Sequence, residues 1–168
     1  MAGQIYVQTG WVVTDLDDAV KRWVSMGVGP FFVLRQVTAD PFSIGGEPAI
    51  LDIAVGLAQA GGIQIELIQP NDDRPSPYRE TYLAGGGFHH FAARVDNLTS
   101  ALEERRSHGA VVAQGTSMDM SFAYLDTRPS MGCMTELMEV GPQVDGLFKM
   151  IGDASVDWDG SEPVRRLG

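Results

Sequence analysis

The chain states one pattern twice, and that repeat limits what it can fold into. Setting Gln8 on His90 gives an offset of 90 − 8 = 82, at which Val13 meets Val95, Leu16 meets Leu98, Ala19 meets Ala101 and Gly27 meets Gly109. Further along, Glu66 meets Glu136 and Leu67 meets Leu137 at 136 − 66 = 70. The second copy is therefore shorter in its middle by 82 − 70 = 12 residues, where loops tolerate changes of length. Each copy reads strand, helix, strand, strand, strand. Neither can bury both faces of its sheet alone, so the two are expected to pair.

Local patterns fill in those elements. Gln4 to Val13 alternates and is rich in β-branched and aromatic residues, as suits a half-buried strand. Thr14 or Asp15 then caps a helix whose Leu16, Ala19, Val20, Trp23 and Val24 recur at helical spacing, with Gly27 as its stop. Strands are predicted over Phe31 to Val37, Ile50 to Ala58 and Ile63 to Ile68, with a loop marked by Asp40-Pro41 and Gly45-Gly46. In the second of these, Leu51, Ile53, Val55 and Leu57 share a face, and the small residues beside Asp52 on the other face leave room for a ligand. In the third, Ile63, Ile65 and Leu67 share the apolar face, which turns Gln64 and Glu66 the other way. Asn71 to Gly87 reads as a connector with a short helix at Tyr78 to Leu83. The second copy supplies a strand through His90, a helix over Leu98 to His108, and strands at Val111 to Gln114, Phe122 to Asp126 and Met134 to Val140. Val144 to Ala154 reads as a terminal helix, and Ser155 to Gly168 as an acidic tail that packs through Trp158 or stays loose.

Composition narrows the function classes. A chain of 168 residues with 44% apolar content can bury one normal core. Its 12 Lys+Arg against 22 Asp+Glu repel nucleic acid and anionic membranes. Cys133 stands alone, which excludes an internal disulfide and suits a reducing cytosol. No apolar run approaches the roughly 20 residues of a membrane span, and the N-terminus lacks a signal-peptide pattern. The expectation is a cytoplasmic protein with a small-molecule partner, no nucleic acid and no membrane.

The paired modules, together with Val13-Thr14-Asp15-Leu16-Asp17-Asp18-Ala19, Gly87-Phe88-His89-His90-Phe91-Ala92 and the two Glu-Leu pairs, resemble the vicinal oxygen chelate superfamily. That group contains glyoxalase I, methylmalonyl-CoA epimerase, extradiol dioxygenases and bleomycin- or fosfomycin-resistance proteins. Gly27-Val28-Gly29-Pro30-Phe31-Phe32 and the connector look closest to its glyoxalase and epimerase branch. The resemblance implies an α+β fold of two paired βαβββ modules, forming curled mixed sheets around a central cavity. It implies a single domain over residues 1–142, with module one at about 5–70, a connector at 71–87 and module two at about 88–140; a C-terminal helix and tail occupy 143–168. A homodimer is expected, because edge strands and an apolar sheet face in such folds find a partner.

By position the resemblance implies a metal held by Gln8, Glu66, His90 and Glu136. Alternation supports the selection, since Phe91, Ala93 and Val95 share a helix-covered face that turns His90 inward and leaves His89 on the opposite side. One imidazole and three oxygen donors suit a divalent ion such as Zn, Ni, Co, Mn or Mg. A single histidine counts against the two-histidine iron pattern of extradiol dioxygenases. Glu136 and Glu66 would then shuttle a proton beside a carbonyl, as in a metal-dependent isomerase, epimerase or lyase. Phe122, Tyr124, Met134, Met138 and Asp52 are the candidate substrate contacts, and methionine's adaptability favours an apolar oxygenated substrate. The other reading is a protein that sequesters an apolar small molecule without catalysis.

Overall fold

The computed structural model describes residues 6–167, so Gln4 and Ile5 of the expected first strand lie outside the described residues. In chain order the elements are β1 (Tyr6–Val12), α1 (Leu16–Ser25), β2 (Phe31–Ala39), β3 (Phe42–Ile44), β4 (Glu47–Pro48), β5 (Leu51–Ala60), β6 (Ile63–Pro70), α2 (Arg79–Leu83), β7 (Gly87–Arg94), α3 (Leu98–Glu104), β8 (Val111–Ser117), β9 (Met120–Leu125), α4 (Arg128–Met131), β10 (Met134–Val140), α5 (Pro142–Ser155) and β11 (Val164–Arg166). The strands form one mixed sheet in the order β11-β2-β5-β6-β1-β7-β10-β9-β8-β3-β4.

The repeat is written into the register of that sheet. β1 and β7 run antiparallel at its centre, with Gln8 opposite Ala92, Thr9 opposite Phe91 and Gly10 opposite His90. Thr9 thus faces its own repeat equivalent, and Gln8 and His90 exchange places about that point. β1 pairs in parallel with β6, Gly10 beside Glu66, and β7 pairs in parallel with β10, Ala92 beside Glu136. The helix starts repeat as well. Asp15 accepts from the Asp18 N–H and Asn97 from the Ser100 N–H, each capping its helix. The next free donors, Leu16 N–H and Leu98 N–H, are taken by Gln69 and Glu139, at 2.7 Å in both cases.

Alternation then sorts the side chains into layers. Leu16 and Val20 of α1 pack with Phe31, Val33, Ala54, Ala58, Ile65 and Leu67 on the outer face of module one. Ala101 of α3 packs with Ala93, Leu125 and Leu137 on the outer face of module two. The small residues of β5 serve this packing: a Cβ on Gly56 would stand 3.3 Å from Leu16 and 3.4 Å from Val20. The space expected there for a ligand is filled by α1. The opposite faces, with Val12, Leu51, Ile53, Val55, Phe122, Tyr124 and Met138, form the inner layer.

Two stretches that read as loop or tail are strands. β3 continues from β2 across Asp40-Pro41 and pairs with β8, reinforced where the Asp40 N–H donates to the Thr116 carbonyl at 2.9 Å. The far edge of the sheet is thereby tied back to module one, and the sheet curls around the inner layer. At the other end β11 adds a parallel edge strand beside β2. Trp158 lies against Gly29, where a Cβ would come within 2.6 Å of its ring. The helix expected to reach His108 ends at Glu104 and continues as turns. No helix among the described residues is long and apolar enough to cross a membrane.

Candidate metal centre

Glu66, His90 and Glu136 meet at the inner face of the sheet, from β6, β7 and β10, with one ligand atom each and all three atoms within 4.8 Å of one another. The strand order places β6 and β10 symmetrically about the β1–β7 pair, so the two glutamates approach from opposite modules. Between them the His90 ring lies flat across β1. A Cβ on Gly10 would stand 1.9 Å from the ring's Cε1, so the ring occupies the space that any side chain at position 10 would need. His90 Nε2 is 3.2 Å from a Glu136 oxygen and 3.6 Å from a Glu66 oxygen. It is buried and makes no hydrogen bond.

The three groups perturb one another's titration. Burial lifts both carboxyls out of the usual range, Glu66 to about 7 and Glu136 to about 8, with the Glu136 charge adding to the effect on Glu66 and the Tyr124 hydroxyl opposing it on Glu136. Burial also lowers His90 to about 4, against the pull of Glu66. Two carboxylates and a bare imidazole nitrogen in low dielectric are satisfied either by shared protons or by a metal ion. Donors on one ion at about 2.1 Å lie no more than about 4.2 Å apart, and the two His90 distances already meet that limit. The donor set fits a divalent cofactor.

Gln8 lines the same cavity. Its amide N–H donates to Gln64 Oε1 at 2.8 Å, and its Oε1 is the atom able to coordinate. The cavity holds about 90 Å³ and is lined by Leu34, Val37, Leu51, Ile53, Val55 and Leu57 on one side and Met120, Phe122, Tyr124 and Met138 on the other. Of the candidate substrate contacts, Phe122, Tyr124 and Met138 line this cavity. Asp52 does not: β5 turns it to the outer face, where it accepts from Asn71 and Gln36. Met134 is buried in the same apolar cluster but outside the lining, at the position on β10 that pairs with His90.

His89 also departs from the alternating pattern. A bulge between Gly10 and Trp11 sets Trp11 against Phe88 and leaves His89 unpaired in the ladder. Phe88 and Phe91 touch each other and Phe88 touches Trp11 on the outer face, so the two histidines between them both turn inward. His89 Nδ1 lies 2.9 Å from His90 Nδ1, and its Nε2 lies 3.0 Å from the Pro77 carbonyl. Sequence reasoning also missed Tyr78, whose hydroxyl is 2.9 Å from that of Tyr124; burial raises both phenols and keeps them protonated. Nor did it place Val144, Leu147 and Phe148 of α5 at the cavity. Their helical spacing marks an apolar face without saying what it covers.

The sequence profile of the glyoxalase/bleomycin resistance protein/dioxygenase superfamily matches residues 7–124. The chain belongs to that superfamily. The match stops short of β10, the strand that carries Glu136. No curated protein matches at the level of sequence. Among solved structures, a hypothetical protein from Bacillus halodurans C-125 superposes with a TM-score of 0.63 at 19% identity, covering 84% of this chain and 97% of its own. Methylmalonyl-CoA epimerase from Mycobacterium tuberculosis gives 0.57 at 22% identity, covering 84% and 91%. A Streptomyces coelicolor methylmalonyl-CoA epimerase in complex with 2-nitronate-propionyl-CoA gives 0.52 at 20% identity, covering 80% and 92%. At these identities the likeness is one of fold.

Proposed function

We propose that this superfamily member is a metal-dependent isomerase, epimerase or lyase that moves a proton beside a carbonyl of an apolar small molecule. The observation that carries the reading is His90 Nε2, buried without a hydrogen-bond partner beside Glu66 and Glu136, whose carboxylates line an apolar cavity. Glu66, His90 and Glu136, with Gln8 beside them, would hold a divalent ion. Bound there, it supplies Lewis-acid stabilisation of the charge that develops on a carbonyl oxygen as the neighbouring carbon loses a proton. Glu136 takes that proton in this reading and Glu66 returns one from the other module. Tyr124, held protonated, donates to Glu136, and Tyr78 in turn donates to Tyr124.

The lining contains no Lys or Arg, so the bound part of the substrate is uncharged apart from its chelating oxygens. A CoA thioester, the ligand class of the structural relatives, would keep its phosphates outside. The lone Cys133 and the net charge of −10 support a cytosolic setting and a small-molecule partner in place of nucleic acid. We extend the proposal to a homodimer, in which each chain carries its own site. The test is elemental analysis of the purified protein, followed by proton NMR in D2O of apolar 2-hydroxy ketones and 2-substituted acyl thioesters. Stoichiometric divalent ion and exchange of the proton beside the carbonyl are expected, with Glu136→Gln slowing exchange by about 10²–10⁴-fold. No bound ion, and no exchange after ions are supplied, would leave a sequestering protein instead.

A further inference from the structure

We propose that His89 is a positioning residue that fixes the tautomer of His90 and so directs the His90 Nε2 lone pair between Glu66 and Glu136. The inference rests on reading that space as a divalent-ion site. The argument is one of matching donors to acceptors along a chain of three groups. The Pro77 carbonyl can only accept, so His89 Nε2, 3.0 Å away, carries a hydrogen and donates. A neutral ring with Nε2–H has a bare Nδ1. His90 Nδ1 lies 2.9 Å from that atom, so it is the donor of the pair. The lone pair of His90 is thereby left on Nε2, the atom that faces both carboxylates and makes no hydrogen bond.

The other arrangements each carry a cost. If His89 donated from Nδ1, its bare Nε2 would face the Pro77 oxygen, and an N–H of His90 would occupy the ligand position. If His89 carried both hydrogens, its Nδ1–H would donate to His90 Nδ1 and shift the His90 hydrogen to Nε2, but the fold would then bury an imidazolium bonded only to a carbonyl and a neutral ring. A ligating histidine needs its second nitrogen held by an acceptor, commonly a carboxylate, a backbone carbonyl or water. Here that acceptor is a second imidazole, itself set by the connector between the modules. The rings of Tyr78 and Tyr124, at 5.1 and 5.7 Å, pack against His89 and hold its plane.

The first measurement is long-range proton–nitrogen NMR of the metal-free wild type near neutral pH, with the exposed His108 assigned through His108→Gln. His89 is expected as the Nε2–H form and His90 as Nδ1–H; a His90 Nε2–H form would overturn the proposal whatever the protein binds. The second is calorimetric titration with Mn2+ or Zn2+. His89→Leu should weaken binding by about 10–100-fold, while His89→Asn, which places an oxygen near the former Nδ1, should restore most of it. A folded His89→Leu protein with wild-type affinity and an unchanged His90 tautomer would also overturn the proposal. Absence of ion binding by the wild type would remove the metal reading, and the NMR result would still decide the tautomer; the same holds if His89→Leu fails to fold.

Discussion

Gly10 shapes the centre by what it lacks. Both ring nitrogens of His90 lie 2.4 Å from where its Cβ would be, so Gly10→Ala must push the imidazole away from Glu66 and Glu136 or bend β1. We expect a stability cost of about 1–3 kcal/mol, read by chemical denaturation, and loss of tight ion binding in a chelator competition; unchanged affinity would show that the ring does not need this seat. The repeat supplies a natural contrast, because Ala92 stands at the equivalent position in β7 and Gln8, the equivalent of His90, bonds to Gln64. Much of this site was legible. His90, Glu66 and Glu136 fall on inward positions of alternating strands, and the repeat ties them together. The side taken by His89 was hidden because alternation assumes an unbroken ladder, and the bulge breaks it. Gly10 was the available signal, since a glycine inside a strand marks a bulge or a close approach.

At the level of elements, the connector and α5 were the hardest to read, because each acts through a surface it meets only after folding. The connector places the Pro77 carbonyl and the Tyr78 ring beside the histidines, yet its residues carry no periodicity to show it. The α5 residues Val144, Leu147 and Phe148 line the cavity, whose 90 Å³ falls well below the roughly 300–1,000 Å³ of open ligand pockets. A substrate larger than that volume has to displace Met120, Met138 or α5 itself. The start of α5 is held by Asp119, which accepts from the Gln143 N–H at 2.7 Å and the Val144 N–H at 3.0 Å. Asp119→Ala removes both bonds at a cost of about 1 kcal/mol. Amide exchange across residues 142–155 should quicken while β1 and β7 keep their protection; equal exchange in the two proteins would show that α5 is held by its apolar face alone.

For the whole molecule, the pairing of the two modules followed from the repeat, because offsets of 82 and 70 leave little choice of partner strands. The closure of the sheet did not, since β3 and β11 are three residues each and the ladders that close it, β3 with β8 and β11 with β2, join distant parts of the chain. That closure leaves Glu136 buried and Glu66 partly buried at the inner face, and global stability then responds to pH in a definite direction. Burial lifts Glu66 to about 7 and Glu136 to about 8 in the fold, against 4.5 unfolded, so between 4.5 and about 8 the folded chain holds protons that the unfolded chain has released. Stability from these groups falls as pH rises through that window. His90, near 4, and His89, near 3, against 6.5 unfolded, act in the opposite sense, and their contribution rises with pH only up to about 6.5. Above 6.5 the carboxyls alone remain, and the protein in EDTA should melt at a lower temperature at pH 8 than at pH 6.5. A divalent ion binds the ionised pair, so Mn2+ should raise the melting temperature more at pH 8 than at pH 6.5. The double variant Glu66→Gln with Glu136→Gln should lose both the fall and the response to Mn2+. A wild-type melting temperature in EDTA that holds level or climbs from pH 6.5 to 8 would mean that the carboxyls are not buried together as the structure has them.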